Sequence, residues 1–335
     1  MHLVQLGNGK QRKVAIVHGE ELAVLAEVDS VYELASRALA VRARLTQLAS
    51  SLESGMCLGY DAVYGGESPW KLLAPADVPG SPQKMLVSGT GLTHLGSARE
   101  RQAMHGKPQT PETVMTDSMR MFEWGRQQGR PRPGTVGIAP EWFYKGDGSV
   151  LRAPFSALEI PSYAEDGGEE AEVAAIYITD GSGVPFRIGF AAGNEFSDHV
   201  FERRNYLNLA GSKLRMCSLG PELVIGEEFL DVPGSVSIVR NGKILWEKTI
   251  RTGEENMCHS LANIEHHHFK FAGHRQPGMM HVHFLGADAL SYSDRVRLET
   301  DDAMTIQFEG FGKPLVNRIQ RHAAADCPVR VQAMQ

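Results

Sequence analysis

The N-terminal part of the chain has a helical spacing of apolar positions. Between residues 31 and 48, apolar side chains recur three or four positions apart, which predicts one helix with a single buried stripe. Ser30, followed three residues later by Glu33, forms a capping box that predicts where this helix begins. A second helix is predicted to begin at Thr110-Pro111, because proline is favoured in a first turn. The predicted stripe consists of Val31, Leu34, Ala38, Val41, Leu45 and Leu48.

The C-terminal part has a different pattern, in which short alternating runs predict β-strands separated by turns. The dipeptide Asn241-Gly242 lies between two such runs and predicts a hairpin. These patterns together predict an α+β fold. We expect residues 1–105 to form a small α/β domain, and residues 106–335 to form a mostly-β domain.

Composition restricts the class of protein. Of 335 residues, 42% are apolar and 22% are charged, and the net charge is −6, so we expect no nucleic-acid or membrane-surface partner. No apolar run reaches the length of a membrane span, and the N-terminus lacks the apolar core of a signal peptide. The four cysteines form no CxxC pair, which argues against a disulfide framework and favours a reducing, cytoplasmic location.

Two glutamates stand at the start of a predicted buried strand. In "GEEAEVAAIYI", Glu170 and Glu172 share one face, because side chains alternate along a strand. Both faces of the run are apolar, which favours burial, and two carboxylates roughly 7 Å apart would then repel each other. Burial would require a compensating cation, either Lys or Arg or an ion such as Mg²⁺, Mn²⁺ or Ca²⁺. A strand end with both glutamates in water remains an alternative.

Two further charged residues follow another β-like run. Glu195 lies in a Gly-Asn turn just after the run, and Lys213 lies among small and apolar residues. Lys213 is either an ordinary surface lysine or the positive group of a pocket lined with carboxylates.

The order of these motifs resembles the fumarylacetoacetate hydrolase superfamily. The Glu-x-Glu strand, the turn with Glu195 and the segment "GSKLRMCSLGP" occur in the family's order, and the resemblance covers residues 85–330. It implies a β-sandwich-roll catalytic domain, a homodimer, and a bound Mg²⁺ (or Mn²⁺ or Ca²⁺). By this resemblance the metal ligands are Glu170, Glu172 and Glu195. The family usually has Asp where Glu195 stands, so the reach to the metal is one methylene longer.

The segment "GTGLTHLGSARERQ" distinguishes two branches of the superfamily. Hydrolase members carry a His-x-x-Glu pair, whereas here His94 is followed at that spacing by Ser97, and Glu100 lies six residues away. The segment instead resembles the Gly-x-Thr-Tyr…Ser…Ala-Arg segment of 2-keto-3-deoxy-sugar-acid dehydratases, with His94 in place of Tyr. A packed or surface role for His94 is equally open.

The dehydratase resemblance implies a hydro-lyase acting on a 2-keto-3-deoxy aldonate, with a five-carbon substrate such as 2-dehydro-3-deoxy-L-arabinonate and 2,5-dioxopentanoate as product. Candidate substrate-binding residues are Thr93, Ser97, Arg99, Lys145 and Gly286. By the same resemblance, residues 1–105 include a lid segment that Thr93, Ser97 and Arg99 would help to hold. Candidate catalytic residues are Lys213, His94 and Glu100. Lys213 would bind the chelated end of the substrate or move the C3 proton, since a nearby metal can lower the pKa of a lysine.

Other functions remain open. A hydrolase of 2,4-diketo acids requires His94 and Glu100 to converge near the metal, whereas a β-keto acid decarboxylase requires the metal alone. Seven histidines between residues 259 and 283 also suggest a zinc-binding module, or a pocket lined by His281 or His283. Consecutive histidines at 266–268 cannot all face one ion on a helix. A non-catalytic sugar-acid sensor is a further alternative.

Overall fold

The structure is a computed structural model that describes residues 1–105, 115–226 and 228–334, without the side chains of residues 100 and 103–105. The helices are α1 (Val31–Val41), α2 (Leu45–Ser51), α3 (Tyr60–Tyr64), α4 (Leu95–His105), α5 (Asp117–Gln128), α6 (His199–Arg204), α7 (Leu209–Lys213) and α8 (Leu261–Phe269). The strands are β1 (His2–Asn8), β2 (Gln11–His18), β3 (Glu21–Leu25), β4 (Glu53–Gly59), β5 (Lys71–Leu72), β6 (Met85–Gly91), β7 (Glu141–Asp147), β8 (Leu151–Arg152), β9 (Ala157–Ile160), β10 (Ala171–Thr179), β11 (Pro185–Asn194), β12 (Cys217–Leu219), β13 (Leu223–Val224), β14 (Val232–Arg240), β15 (Lys243–Thr252), β16 (Met280–Phe284), β17 (Ala303–Phe308) and β18 (Leu315–Arg321).

Within the described ranges these strands form two sheets, and the predicted α+β fold class is confirmed. The larger sheet has 13 strands, with the main order β4-β3-β2-β1-β13-β11-β10-β16-β6-β7. The smaller sheet has 5 strands in the order β15-β14-β17-β18-β9. Strands from residues 1–105 join the larger sheet beside strands from the rest of the chain, and the division into two domains stays a prediction.

The first predicted helix begins where the capping box places it. The Ser30 side chain accepts a hydrogen bond from the Glu33 backbone N–H at 3.1 Å. The prediction of one continuous helix is wrong, because Arg42 adopts a left-handed conformation with φ 54° and a second helix restarts at Leu45. Val41 is 66% exposed and does not join the buried stripe.

Two other predicted elements have different outcomes. The hairpin is confirmed, since β14 and β15 pair across Asn241 and Gly242, which have the positive φ angles of 51° and 74° that such a turn requires. The predicted helix start at Thr110-Pro111 lies outside the described residues. Helix α5 begins after Thr116, whose side chain accepts a hydrogen bond from the Met119 backbone N–H at 3.3 Å.

Strand β10 is buried along its whole length between two hydrophobic clusters. Ala174, Ile176 and Ile178 join one cluster, which also includes residues of α1. Val173 and Tyr177 point the other way, into a cluster with β14, β17 and α8. Each large apolar side chain buried here contributes about 1.5–3 kcal/mol. The strand is therefore rigid, and residues at its N-terminal end have fixed positions in the interior.

Glu222 joins the N-terminal strands to the rest of the molecule. It is 2% exposed and accepts hydrogen bonds from Tyr60 Oη at 2.7 Å and from the Lys313 backbone N–H at 3.0 Å. His2 Nδ1 lies 2.6 Å from its second carboxylate oxygen. Three distant parts of the chain therefore depend on one buried carboxylate.

We expect Glu222→Ala to lower the free energy of unfolding by about 3 kcal/mol, because it leaves Tyr60 and His2 without their buried partner. Urea unfolding followed by circular dichroism measures this change. The exposed Glu67 provides the control, and Glu67→Ala should change stability by less than about 0.5 kcal/mol. Equal stability of the two variants would contradict the assigned role of Glu222.

No helix among the described residues is long and apolar enough to span a membrane.

Candidate metal centre

Three glutamates converge at the N-terminal end of β10. Glu170, Glu172 and Glu195 each offer a carboxylate oxygen, and these atoms lie within 4.8 Å of one another. The antiparallel register of β10 and β11 explains the meeting, because it pairs Ala171 with Asn194 and so places Glu195 beside Glu170. The three residues are 6%, 1% and 0% exposed, which excludes the alternative of a strand end in water.

Two lysines lie against these carboxylates. Lys213 Nζ is 2.6 Å from a Glu170 oxygen and 2.5 Å from Glu195 Oε2. Lys145 Nζ donates to the Phe196 carbonyl at 2.9 Å and lies 2.5 Å from Glu195 Oε1, at an angle that forms no hydrogen bond. Both lysines are 1% exposed, so Lys213 is not a surface residue.

The pKa values of the three glutamates are shifted in different directions. Burial, reinforced by the charges of Glu170 and Glu195, raises the pKa of Glu172 well above its usual value. Burial also raises the pKa of Glu195, with a further contribution from the charge of Glu170. Glu170 itself is different: burial opposes its ionisation, but Lys213 and a hydrogen bond from His199 hold its pKa well below the usual value.

The neighbouring carboxylates raise the pKa of Lys213. Burial alone would lower it, and the nearby charges of Glu170 and Glu195 outweigh burial. The expectation that a bound metal lowers this pKa stays a prediction. As a cation between these carboxylates, Lys213 is suited to binding an anionic group, and its predicted role in moving the C3 proton stays a prediction.

A second charged network, which sequence reasoning missed, lies next to the glutamates. Arg101 NH1 on α4 is 2.8 and 3.0 Å from the two oxygens of Glu141, and Arg101 Nε is 3.0 Å from Glu202 Oε1. Tyr206 Oη donates to Glu141 Oε2 at 2.7 Å. Glu141 lies four residues before Lys145 in β7, on the same buried face, and that alternation was the available signal.

The residues present fit a divalent cation. Carboxylates outnumber the cations around the site five to three, and a dipositive ion would bring the region close to neutrality. Glu195 Oε1 is buried and makes no hydrogen bond, although the Lys145 ammonium lies 2.5 Å away, so it could serve as a ligand atom. Oxygen-only donors suit Mg²⁺, Mn²⁺ or Ca²⁺. The carboxylates counted are Glu141, Glu170, Glu172, Glu195 and Glu202, and the cations are Arg101, Lys145 and Lys213.

No model of a known protein family matches the chain, and no curated protein matches it. Solved structures do match. A 2-keto-3-deoxyarabinonate dehydratase in a hexagonal crystal form is 17% identical, with 97% of this chain and 100% of that chain covered and a TM-score of 0.69. A 2-keto-3-deoxy-D-arabinonate dehydratase complexed with magnesium and 2,5-dioxopentanoate is 16% identical. The match covers 96% of this chain and 99% of that chain, with a TM-score of 0.68. A 5-carboxymethyl-2-hydroxymuconate delta-isomerase from Mycobacterium smegmatis is 16% identical. The match covers 96% of this chain and 100% of that chain, with a TM-score of 0.57.

The chain has the fold of these dehydratase and isomerase structures. This confirms the fold implied by the sequence resemblance. Identities of 16–17% establish the fold alone and leave the activity to be inferred from the site.

The other residues implied by the superfamily resemblance do not all reach the site. Gly286 does, since its N–H donates to Glu172 Oε2 at 2.7 Å, and Thr93 lies against Gly286. Ser97 is half-buried and donates to the His94 carbonyl at 3.2 Å, while Arg99 is exposed. The Glu100 side chain lies outside the described residues. The substrate-binding roles stay predictions.

His94 has both ring nitrogens occupied. Nδ1 lies 2.8 Å from Thr93 Oγ1, and Nε2 lies 3.0 Å from Thr252 Oγ1. Burial lowers the pKa of His94 to about 4, so the ring is neutral near pH 7. This geometry is that of a packed histidine, and a catalytic role for His94 stays a prediction.

The buried histidines of α8 and β16 do not form a metal cluster among the described residues. Trp142 Nε1 donates to His268 Nδ1 at 3.2 Å, so His268 carries its proton on Nε2 and donates it to His281 Nδ1 at 3.0 Å. Two nitrogens that share a proton cannot also share an ion. His281 and His283 pair with Tyr177 and Ala175, on the face of β10 opposite Glu172, so the expectation that they line the pocket is wrong.

We expect Gly286→Ala to weaken metal binding at least about tenfold. Loss of a hydrogen bond that orients a metal ligand, here Glu172, typically lowers metal affinity by at least that factor. Gly286 has φ 99°, and an added Cβ would lie 1.9 Å from Thr93 Oγ1, so the N–H that holds Glu172 must move. Isothermal titration with Mn²⁺ measures the change. Gly273, whose added Cβ would meet nothing within 4 Å, supplies the control Gly273→Ala. An unchanged Mn²⁺ affinity in Gly286→Ala would contradict the assigned contact.

Proposed function

We propose that this chain is a divalent-metal-dependent hydro-lyase that dehydrates a 2-keto-3-deoxy aldonate. The proposed substrate has five carbons, such as 2-dehydro-3-deoxy-L-arabinonate, and the product is 2,5-dioxopentanoate. The observation that carries the proposal is the buried cluster of Glu170, Glu172 and Glu195, on a fold shared with 2-keto-3-deoxyarabinonate dehydratases. One of those dehydratases is complexed with magnesium and 2,5-dioxopentanoate, which supports both the metal and the product class.

The reaction removes one molecule of water. A proton leaves C3, and the C4 hydroxyl leaves with a proton as water. A proton shift from C5 to C3 then gives a C4–C5 enol, and transfer of the enol hydroxyl proton to C4 gives the aldehyde. A bound divalent ion would supply Lewis acidity to the 2-keto acid group. The protein must position the substrate anion, accept the C3 proton and supply a proton to the departing hydroxyl.

The described residues suggest how these roles are shared. Lys213, held as a cation between Glu170 and Glu195, is suited to binding the anionic end of the substrate. The C3 proton requires a base. Lys213 stays the predicted candidate, and Glu141, on the same buried face of β7 as Lys145, is a second.

The hydrolase alternative requires a histidine that activates water beside the metal. The present geometry gives it no support, because both nitrogens of His94 already contact threonine hydroxyls. We therefore keep the dehydratase as the single proposed function, with a homodimer in the cytoplasm as the accompanying proposals from the resemblance.

A competition assay tests the proposal against this alternative. Purified protein with excess Mg²⁺ is given a 2-keto-3-deoxypentonate and a 2,4-diketo acid together, and the products are followed by mass spectrometry. We expect the pentonate to lose one water while the diketo acid remains intact. Cleavage of the diketo acid into two fragments, with the pentonate unchanged, would refute the dehydratase in favour of a C–C hydrolase.

A further inference from the structure

Each glutamate of the metal cluster has one carboxylate oxygen that protein groups hold. The Gly286 N–H donates to Glu172 Oε2 at 2.7 Å, and Ser197 Oγ donates to Glu195 Oε2 at 2.8 Å. A carboxylate with one oxygen fixed in this way can offer its other oxygen to an ion. This agrees with the cluster itself, in which each glutamate contributes one ligand atom.

Glu170 has two such donors, and they differ. Lys213 Nζ lies 2.6 Å from Glu170 Oε1 and also contacts Glu195, so it serves two carboxylates. His199 Nε2 lies 3.0 Å from the same Oε1. In the part of the chain that the structure describes, Glu170 is the single hydrogen-bond partner of the His199 ring, because Nδ1 has none. Since an ionised carboxylate can only accept, the ring proton of this bond lies on Nε2.

The His199 ring is held in one orientation. It is 2% exposed, and its centroid lies 5.2 Å from that of Tyr292. A Cβ added at Gly168 would lie 2.4 Å from His199 Nδ1, so a larger residue there would displace the ring. Gly168 and Ser197 exchange backbone hydrogen bonds of 2.9 and 3.0 Å, and Asp198 caps the helix that His199 begins. The position of this imidazole is therefore fixed by both its backbone and its neighbours.

We propose that His199 is a positioning residue that holds Glu170 Oε1 and so presents Glu170 Oε2 to a divalent ion. Hydrogen bonds to a ligating carboxylate set its orientation, and their loss typically lowers metal affinity about 10- to 100-fold. The inference rests on the proposed function and goes beyond it. When Lys213 binds the anionic end of the substrate, His199 remains as the donor that keeps Glu170 in place.

Titration calorimetry with Mn²⁺ on chelator-stripped protein tests this role without any substrate. We expect His199→Leu, which keeps an apolar side chain but loses the donor, to weaken Mn²⁺ binding about 10- to 100-fold. His199→Gln retains an N–H donor and should bind Mn²⁺ within about fivefold of the wild type. Packing alone would be replaced by Leu at least as well as by Gln, so the order of the two variants distinguishes the two roles. An affinity of His199→Leu within about twofold of the wild type, or equal losses in both variants, would overturn the proposal.

His268→Leu is the matched control. His268 is also a buried histidine, 1% exposed, and its ring contacts His281 on the face of β10 opposite Glu172. We expect its loss to leave Mn²⁺ affinity within about twofold of the wild type. A loss in His268→Leu as large as that in His199→Leu would overturn the assignment, because any buried histidine would then have the same effect.

A second variant keeps the test decisive if His199→Leu does not fold. Gly168→Ala leaves every charged group in place but puts a Cβ 2.4 Å from His199 Nδ1, so the ring must move relative to Glu170. We expect Mn²⁺ affinity to fall at least about fivefold, and an unchanged affinity would overturn the proposal equally.

Turnover separates this inference from the proposed function. We expect His199→Leu to require about 10- to 100-fold more Mg²⁺ than the wild type for half-maximal dehydration, and an unchanged requirement would overturn the positioning role. Absence of dehydration in a wild-type protein that binds Mn²⁺ would instead refute the proposed function, while the titrations would still decide the role of His199. A wild-type protein that binds no Mn²⁺ would overturn both.

Discussion

Replacing Glu172 by Gln is expected to abolish tight metal binding and to lower dehydration about a thousandfold. The change removes one of three clustered carboxylates without altering its size. A Lewis-acid metal contributes several kcal/mol to a transition state, and each 1.36 kcal/mol corresponds to a tenfold change in rate. Titration calorimetry with Mn²⁺ and turnover assays measure the two losses.

The same substitution should stabilise the metal-free protein. Burial and two neighbouring carboxylates raise the pKa of Glu172, so its ionised form opposes folding near neutral pH. We expect Glu172→Gln to raise the metal-free free energy of unfolding by about 1–3 kcal/mol. Glu247→Gln, at an exposed position in β15, should leave both metal binding and stability unchanged. A Glu172→Gln protein that binds Mn²⁺ like the wild type would contradict the assignment of Glu172 as a ligand.

Acidification is expected to destabilise the protein strongly through its buried histidines. Burial lowers the pKa of His94 and of His259 to about 4. Burial, with the charges of neighbouring histidines, lowers the pKa of His281 and of His283 to about 3. The unfolded chain, with histidine pKa values of about 6.5, binds protons that the folded chain excludes.

The direction of the effect follows from this difference. The stability contributed by each neutral buried histidine is complete above about pH 6.5 and is lost as the pH falls toward the folded pKa. The loss is about 1.4 kcal/mol per pH unit for each histidine, or about 2 kcal/mol at pH 5 for His94. Buried glutamates such as Glu172, whose pKa is raised, act in the opposite direction over part of the range.

A comparison of two proteins isolates the histidine contribution. The free energy of unfolding of wild type and of His94→Gln is measured between about pH 7.5 and about pH 5. The glutamate contributions are common to both proteins and cancel in the difference. We expect the variant to lose about 2 kcal/mol less than the wild type over this range. Parallel curves would show that His94 is not held neutral by burial.

The α+β class and the two strand glutamates of the cluster were predictable from the sequence because they depend on short-range patterns. Alternation along β10 placed Glu170 and Glu172 on one face and predicted that both faces of the strand are covered, which the structure confirms. The prediction that Glu195 joins them came from the family resemblance, because its closeness to Glu170 depends on the register of β11 against β10.

Three other features of the structure were not predictable, because short stretches of the sequence carry little sign of them. The break at Arg42 places a non-glycine residue in a left-handed conformation, and no glycine or proline marks it. The pairing of Arg101 with Glu141 joins residues 40 positions apart. The side of the sheet on which His281 lies depends on its pairing with Tyr177, which the periodicity of β16 alone does not specify.

The most direct test of the central claim is product analysis with and without metal. Purified protein, stripped with a chelator and then reloaded with Mg²⁺, is incubated with both C4 epimers of 2-keto-3-deoxypentonate and followed by NMR. The account predicts 2,5-dioxopentanoate from at least one epimer, only in the reloaded sample, and none from the Glu172→Gln protein. Equal product in the stripped sample, or no product from either epimer with Mg²⁺ bound, would contradict it.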